Sequence, residues 1–282
     1  QEGCDKFCTY CVVPYTRGSE YSRPHLQVLE EAKSLVDKGV KDITLLGQNV
    51  NNYKDKSNIN FAELIAKVAD IQGLERVRYT TSYPRDINDE LINAHRDIAK
   101  LMPYMHLPIQ SGSNRVLELM NRKHTAEFYL EIIDKVRKAR PDITFSSDFI
   151  VGFPGESEED FQETLNVINK VRYGTCYSFK YSSRPGTPAA TMKGLVPEHI
   201  KDARLQELQA LLNKQQTEFN EKFLGKTVEV LLDKKGQRAG QIMGKSPYMQ
   251  SVYTEGSAKL LGTLVNVRIT NTSANSLSGL IL

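Results

Sequence analysis

Residues 26–47 read LQVLEEAKSLVDKGVKDITLLG, and the order of patterns inside this stretch decides the fold. Residues 26–39 space Leu, Val and Ala as a helix does, whereas 42–47 form a short apolar run of the kind that makes a buried strand. The same pair of signals recurs down the chain. FAELIAKVADIQG precedes RVRYTTS, INDELINAHRDIAK precedes YMHLPI, EFYLEIIDKVRKARP precedes ITFSSDFIVG, and EDFQETLNVINKV precedes TCYSFKYS. Strands alternating with helices imply parallel βαβ units, and about six such units in a row imply an α/β fold built as a partial (β/α)6 barrel.

Outward toward the C-terminus, the Pro-rich SSRPGTPAATMKGLVPEH leads into a long helical stretch, HIKDARLQELQALLNKQQTEFNEKF, which reads as a bridge. Beyond Gly225 the texture changes to β-branched runs (TVEVLL, LVNVRI) separated by Gly, Asn and Ser, which predicts a small antiparallel, OB-like β-barrel. The boundary falls near residue 224, giving a core over 1–223 and a second domain over 224–282. Outward toward the N-terminus, the chain meets a cysteine loop almost at once. Such loops usually follow a strand, so part of the first strand and whatever precedes it are expected to be missing.

With 282 residues, 40% of them hydrophobic, the chain can bury a real core. It has no long unbroken apolar run and no charged-then-apolar leader, so the expectation is a cytoplasmic protein with no membrane span. Net charge is only +3. Residues 224–282 hold seven bases and three acids, so that segment alone contributes +4.

Three of the four cysteines, Cys4, Cys8 and Cys11, fall in a C-x3-C-x2-C spacing, which is a metal site rather than a disulfide framework. Four-iron clusters normally take four thiolates, so three close ligands leave one iron open. The competing reading is a structural zinc with His25 as fourth ligand in an RNA-binding protein without catalysis. Cys176, in a strand-like run, reads as a small core residue.

The loop EGCDKFCTYCVVPYTRGSEYSRP resembles the signature of the radical S-adenosylmethionine (SAM) superfamily, and within it the MiaB-type tRNA methylthiotransferases. LLGQNVNNY, HLPIQSGSNRVLELMNR, DFIVGFPGE, KYSSRPGTPAA and a TRAM-like C-terminal segment agree in order, so the resemblance covers essentially the whole chain. It implies a 4Fe-4S cluster on Cys4, Cys8 and Cys11 whose open iron chelates SAM. It also implies that a SAM-derived radical, with no protein base assigned, attacks C2 of N6-isopentenyladenosine beside the tRNA anticodon, where a methylthio group is installed.

An electron donor such as flavodoxin or ferredoxin is implied too, as is a second 4Fe-4S cluster in an N-terminal domain that this chain lacks. The chain alone is therefore expected to bind SAM and tRNA without completing methylthiolation. Related enzymes that act on threonylcarbamoyladenosine in tRNA, or on an aspartate of a ribosomal protein, are the rivals within the superfamily. The basic tail favours RNA.

Strand ends supply the SAM contacts in such a barrel. The resemblance assigns these to Gly47 and Gln48 after the first strand, Gln110 and Ser111 after the third, Arg122 as a carboxylate partner, and Asp148 and Ile150 on the strand facing adenine. Tyr10 joins them, with a core role as its alternative. Gly47-Gln48-Asn49 also fits an ordinary turn, Ser113 an N-cap, and Arg122 a solvated helix end. In the tail, Lys234, Lys235, Arg238 and Lys245, with Tyr248 and Tyr253 near them, suit a charged groove with stacking aromatics, a solvated basic face being the alternative. The predicted target is the tRNA anticodon stem-loop, whose unstacked bases are readable.

Overall fold

The computed structural model describes residues 1–282. Five strands are parallel: β1 (Asp42–Leu45), β2 (Arg76–Tyr79), β3 (Tyr104–His106), β4 (Thr144–Val151) and β5 (Thr175–Lys180). Around them run α1 (Val13–Arg17), α2 (His25–Asp37), α3 (Phe61–Ala69), α4 (Asp89–Asp97), α5 (Asn114–Leu119), α6 (Ala126–Ala139), α7 (Glu158–Val171) and α8 (Glu198–Glu221). Local chemistry sets where the helices begin. Asn60 and Glu63 form a reciprocal capping box on α3, Ser157 and Asp160 do so on α7, and Asn88, Ser113 and Thr125 cap α4, α5 and α6.

β1 pairs with β2, and β3–β4–β5 form a second sheet. The two are stitched by Val77 N–H donating to Lys100 O (2.8 Å) and Met102 N–H donating to Val77 O (3.0 Å). The barrel is thus partial, open between β5 and β1. No sixth strand is present; Gln1 lies beside β1, its amino group donating to Leu46 O at 3.1 Å.

Alternation gives each strand an outer and an inner face. On β2, Val77 and Tyr79 join the helix-covered core, where the Phe61 ring meets Tyr79 edge-on at 5.1 Å and the Tyr79 hydroxyl bonds His95 Nε2 at 2.7 Å. Arg76 and Arg78 take the other face.

α8 does more than bridge. Leu208 and Leu212 bury against the core, and Gln215 accepts from Tyr173 N–H (3.2 Å) while donating to Ile168 O (3.1 Å). β6 (Thr227–Lys235), β7 (Gln241–Lys245), β8 (Ser251–Glu255), β9 (Leu264–Thr272) and β10 (Ser276–Ile281) then close a barrel in the order β10-β8-β7-β6-β9. The antiparallel expectation fails at one seam, because five strands cannot alternate direction all the way round. β10 and β8 pair in parallel. Val230, Leu232, Ile242, Val252, Val267 and Leu277 belong to this barrel's own core.

The two β-structures are clamped together by β2. Arg76 donates to Lys245 O (2.8 Å) and to Glu229 O and Oε1 (3.0 and 3.1 Å). Arg78 donates to Asp42 Oδ2 (2.9 Å), Pro247 O (2.8 Å) and Ser246 O (2.9 Å). The turn after β7 therefore plugs the end of the core where β1 and β2 begin, and leaves the carboxyl ends of the strands free. No helix is long and apolar enough to cross a membrane.

Candidate active site

The cysteine loop is built by close backbone approach. Gly3 sits at φ 73°, where a Cβ would fall 2.0 Å from Ser19 O, so only glycine lets Cys4 N–H reach Gly18 O at 3.1 Å. The loop's far side is tied to the end of α5 and beyond. Thr9 N–H donates to Met120 O (3.1 Å), Asn121 Nδ2 to Phe7 O (2.8 Å), and Ala189 N–H to Thr9 O (2.9 Å).

This anchoring holds the three thiols over the carboxyl ends of the strands. Cys4, Cys8 and Cys11 line one cavity of about 210 Å³ together with Tyr10, Gln48, Gln110, Arg122 and Asp148. A wider cleft of about 980 Å³ shares Tyr10, Gln110 and Asp148 with it and continues across Ile150 and Phe179 to Leu195. Burial pushes the Cys4 thiol up to about 11 and raises Cys11 as well, so metal uptake here must release protons.

Arg122 is fully enclosed. Nη1 lies 3.7 Å from Cys8 Sγ, Nη2 donates to Pro108 O, the guanidinium sits 4.6 Å from the Tyr83 ring centre, and Nε has no partner. No carboxylate offsets its charge. Gln48 Oε1 is also buried without a partner. Three thiols, an uncompensated guanidinium and an orphaned amide oxygen fit an anionic cluster beside a ligand with amino and carboxylate groups. Gln110 adopts φ 80°, a left-handed conformation costly for a side-chain-bearing residue, held by Gln110 N–H to Asp148 O (3.0 Å) and Ile150 N–H to Gln110 O (2.9 Å).

Other predicted residues lie elsewhere. Ser111 is fully buried and turned to Thr164 of α7 (3.3 Å), away from the cavity. Gly47 faces the N-terminus, where a Cβ would come 3.0 Å from Gln1 Oε1. Ser113 is the N-cap of α5 and also donates to Asp160. His25 is engaged with Asp55 (Nδ1 to Oδ2, 2.7 Å) and is not among the residues lining the thiol cavity. The His25 backbone N–H is the first cause that holds Asp55 down at about 2.

Cys176 packs against the core, as its strand position implied. Lys234, Lys235 and Arg238 are exposed on β6 and the turn after it. Lys245, on the β7 strand paired with β6, donates from Nζ to Ser251 Oγ (3.0 Å), and Tyr248 packs on Phe219 and Phe223 and donates to Asp142 (3.3 Å). The reading from sequence missed Lys6, Thr81, Ser82, Tyr83 and Pro108, which also line the thiol cavity. Thr81–Tyr83 directly follow β2, so the rule that strand ends carry the site would have found them.

A parallel, incomplete α/β barrel with a thiol loop at the carboxyl rim of its strands, joined to a small closed β-barrel, defines a two-part protein with a cluster-type site. The chain belongs to the radical SAM superfamily, whose family model matches residues 1–168, and a TRAM domain model matches residues 221–282.

Among curated proteins it is 56% identical over 98% of its length to the tRNA-2-methylthio-N(6)-dimethylallyladenosine synthase of Agrobacterium fabrum, and 57% identical over 99% to that of Wolbachia pipientis subsp. Culex pipiens. It spans 62% and 64% of those two relatives. Among solved structures, coproporphyrinogen III oxidase from Escherichia coli shares the fold, with TM-score 0.55 and 15% identity over 98% of this chain and 69% of that one.

Proposed function

We propose that this chain is the SAM-binding and RNA-binding part of a tRNA methylthiotransferase that acts at C2 of N6-isopentenyladenosine next to the anticodon. The observation that carries the reading is the convergence of Cys4, Cys8, Cys11, Gln48, Gln110, Arg122 and Asp148 on one cavity. The identity to the two synthases, across nearly all of the chain, supports the substrate.

The site residues divide the work by chemistry. Cys4, Cys8 and Cys11 would hold a 4Fe-4S cluster, which when bound supplies the electron that cleaves SAM. Arg122 neutralises negative charge beside Cys8 and can donate from its free Nε. Gln48 offers its orphaned oxygen to an amino group, and Gln110 holds the rim of the β3–β4 junction. Tyr10, Asp148 and Ile150 line the passage from the thiol cavity to the wider cleft.

Residues 1–223 act as the core and 224–282 as the RNA-holding domain, with Lys234, Lys235 and Arg238 presented to tRNA phosphates. The sulfur is assigned to a second cluster outside residues 1–282, and the electron to a flavodoxin or ferredoxin. Mass spectrometry of tRNA nucleosides from cells lacking the gene tests this. Loss of the methylthio form with retention of isopentenyladenosine is expected, and an unchanged profile refutes the reading.

A further inference from the structure

β5 carries its aromatics on the side where strands usually bury them. Tyr177 and Phe179 are 56% and 53% exposed; of the alternate residues, Cys176 packs on the core, and Lys180, at the edge of the wider cleft, pairs with Asp202 of α8 at 2.7 Å. The parallel register sets Tyr177 beside Asp148 and Phe179 beside Ile150, so all four face the barrel interior. Two half-bare rings on an inward strand face are exposed apolar surface that asks for an occupant.

The surroundings specify that occupant. At the base, the His106 ring meets Tyr177 edge-on at 6.3 Å, and its Nε2 lies 3.6 Å from Asp148 Oδ2, so polar groups stand at the margin of an aromatic wall. A flat ring with hydrogen-bonding edges suits that combination. Arg184 lines the cleft, is exposed and is in no ion pair, which suits a phosphate. Leu195 is 69% exposed and lines the same cleft as Phe179, which suits an apolar chain. The cleft of about 980 Å³ has room for a nucleoside.

We infer that Tyr177, Phe179, Arg184 and Leu195 form the subsite for an adenosine extruded from its RNA stack: the rings hold the base, Arg184 its neighbouring phosphate, and Leu195 the apolar N6 substituent. This rests on the proposed function and adds to it the residues that select a prenylated base over a bare one. Phe179 is the platform and Leu195 the selector.

The test is fluorescence anisotropy of labelled anticodon stem-loop RNA on the full-length, anaerobically reconstituted enzyme, comparing N6-isopentenyladenosine with unmodified adenosine at the target position. Wild type is expected to prefer the prenylated RNA by roughly 5-fold or more. Phe179→Ala should weaken both RNAs by roughly 5- to 100-fold, the range for loss of one base–aromatic stack. Leu195→Ser should abolish the preference and leave affinity for the unmodified RNA intact, and Arg184→Ala should weaken both RNAs and flatten the salt dependence.

Because all three side chains are exposed, folding is not at stake; circular dichroism checks it. If wild type binds neither RNA, the proposed function fails. If wild type binds RNA and Phe179→Ala stays within twofold, or Leu195→Ser keeps the preference, the subsite is overturned while the proposed function stands.

Discussion

Arg122 Nη1 lies 3.7 Å from Cys8 Sγ, and no acidic side chain pairs with this buried guanidinium. An isolated buried charge is costly, so in the metal-free protein Arg122 is a liability that a negatively charged occupant relieves. Arg122→Met should therefore leave the metal-free thermal midpoint unchanged or higher, while iron retained through anaerobic gel filtration falls. A variant that melts earlier yet keeps its iron contradicts this role.

The clamp between the two β-structures rests on five hydrogen bonds from Arg76 and Arg78, with Arg78 itself held by Asp42 of β1. Arg78→Ala strands the Ser246 and Pro247 carbonyls and leaves Asp42 without its partner, which should cost about 2–4 kcal/mol. Scanning calorimetry should then resolve two transitions, the small barrel's own core letting it unfold separately. A single transition at the wild-type temperature would show that the clamp does not couple the units.

Gly112 allows the loop after β3 to lie against α7: a Cβ there would fall 2.5 Å from Glu163 O and from Thr164 Cα. Gly112→Ala should cost about 1–3 kcal/mol by overpacking. It should also weaken SAM binding, measured by equilibrium dialysis, because Gln110 is only two residues away. Unchanged stability would mean that α7 yields freely.

His95 and His124 are buried as neutral rings. Burial, then Arg140, holds His95 down at about 3, and burial, then Arg122, holds His124 at about 4. The unfolded chain takes up protons near pH 6.5 that the folded chain refuses, so stability is full above that pH and falls as pH drops toward those values. Urea titrations should show a loss of roughly 2 kcal/mol per histidine between pH 7 and pH 5. A flat profile over that interval contradicts the neutral, buried state.

Much of this was legible because the deciding signals are local. The helix–strand alternation from Leu26 onward, the thiol spacing and the polar cap at Ser113 all act over a few residues. Gln48 and Gln110 could be placed because each follows an apolar run, and Asp148 because it alternates with Ile150 along one strand.

What escaped depends on distant backbone. Ser111 meets Thr164 of α7, distant in sequence, while its neighbour Gln110 keeps the cavity side. Arg76 and Arg78 read as ordinary strand residues, since the carbonyls they hold belong to the second barrel. Tyr248, read as an RNA contact, is drawn toward Phe219 and Phe223 by the end of α8.

The central claim is that Cys4, Cys8 and Cys11 hold a cluster with one iron open to SAM. Iron and sulfide analysis with electron paramagnetic resonance, on the anaerobically reconstituted and reduced chain with and without SAM, tests it most directly. The expected result is about four irons and four sulfides per chain, lost in the triple Cys→Ala variant, with a signal that changes when SAM is added. A colourless protein that retains about one zinc per chain, with no signal for SAM to alter, would contradict it.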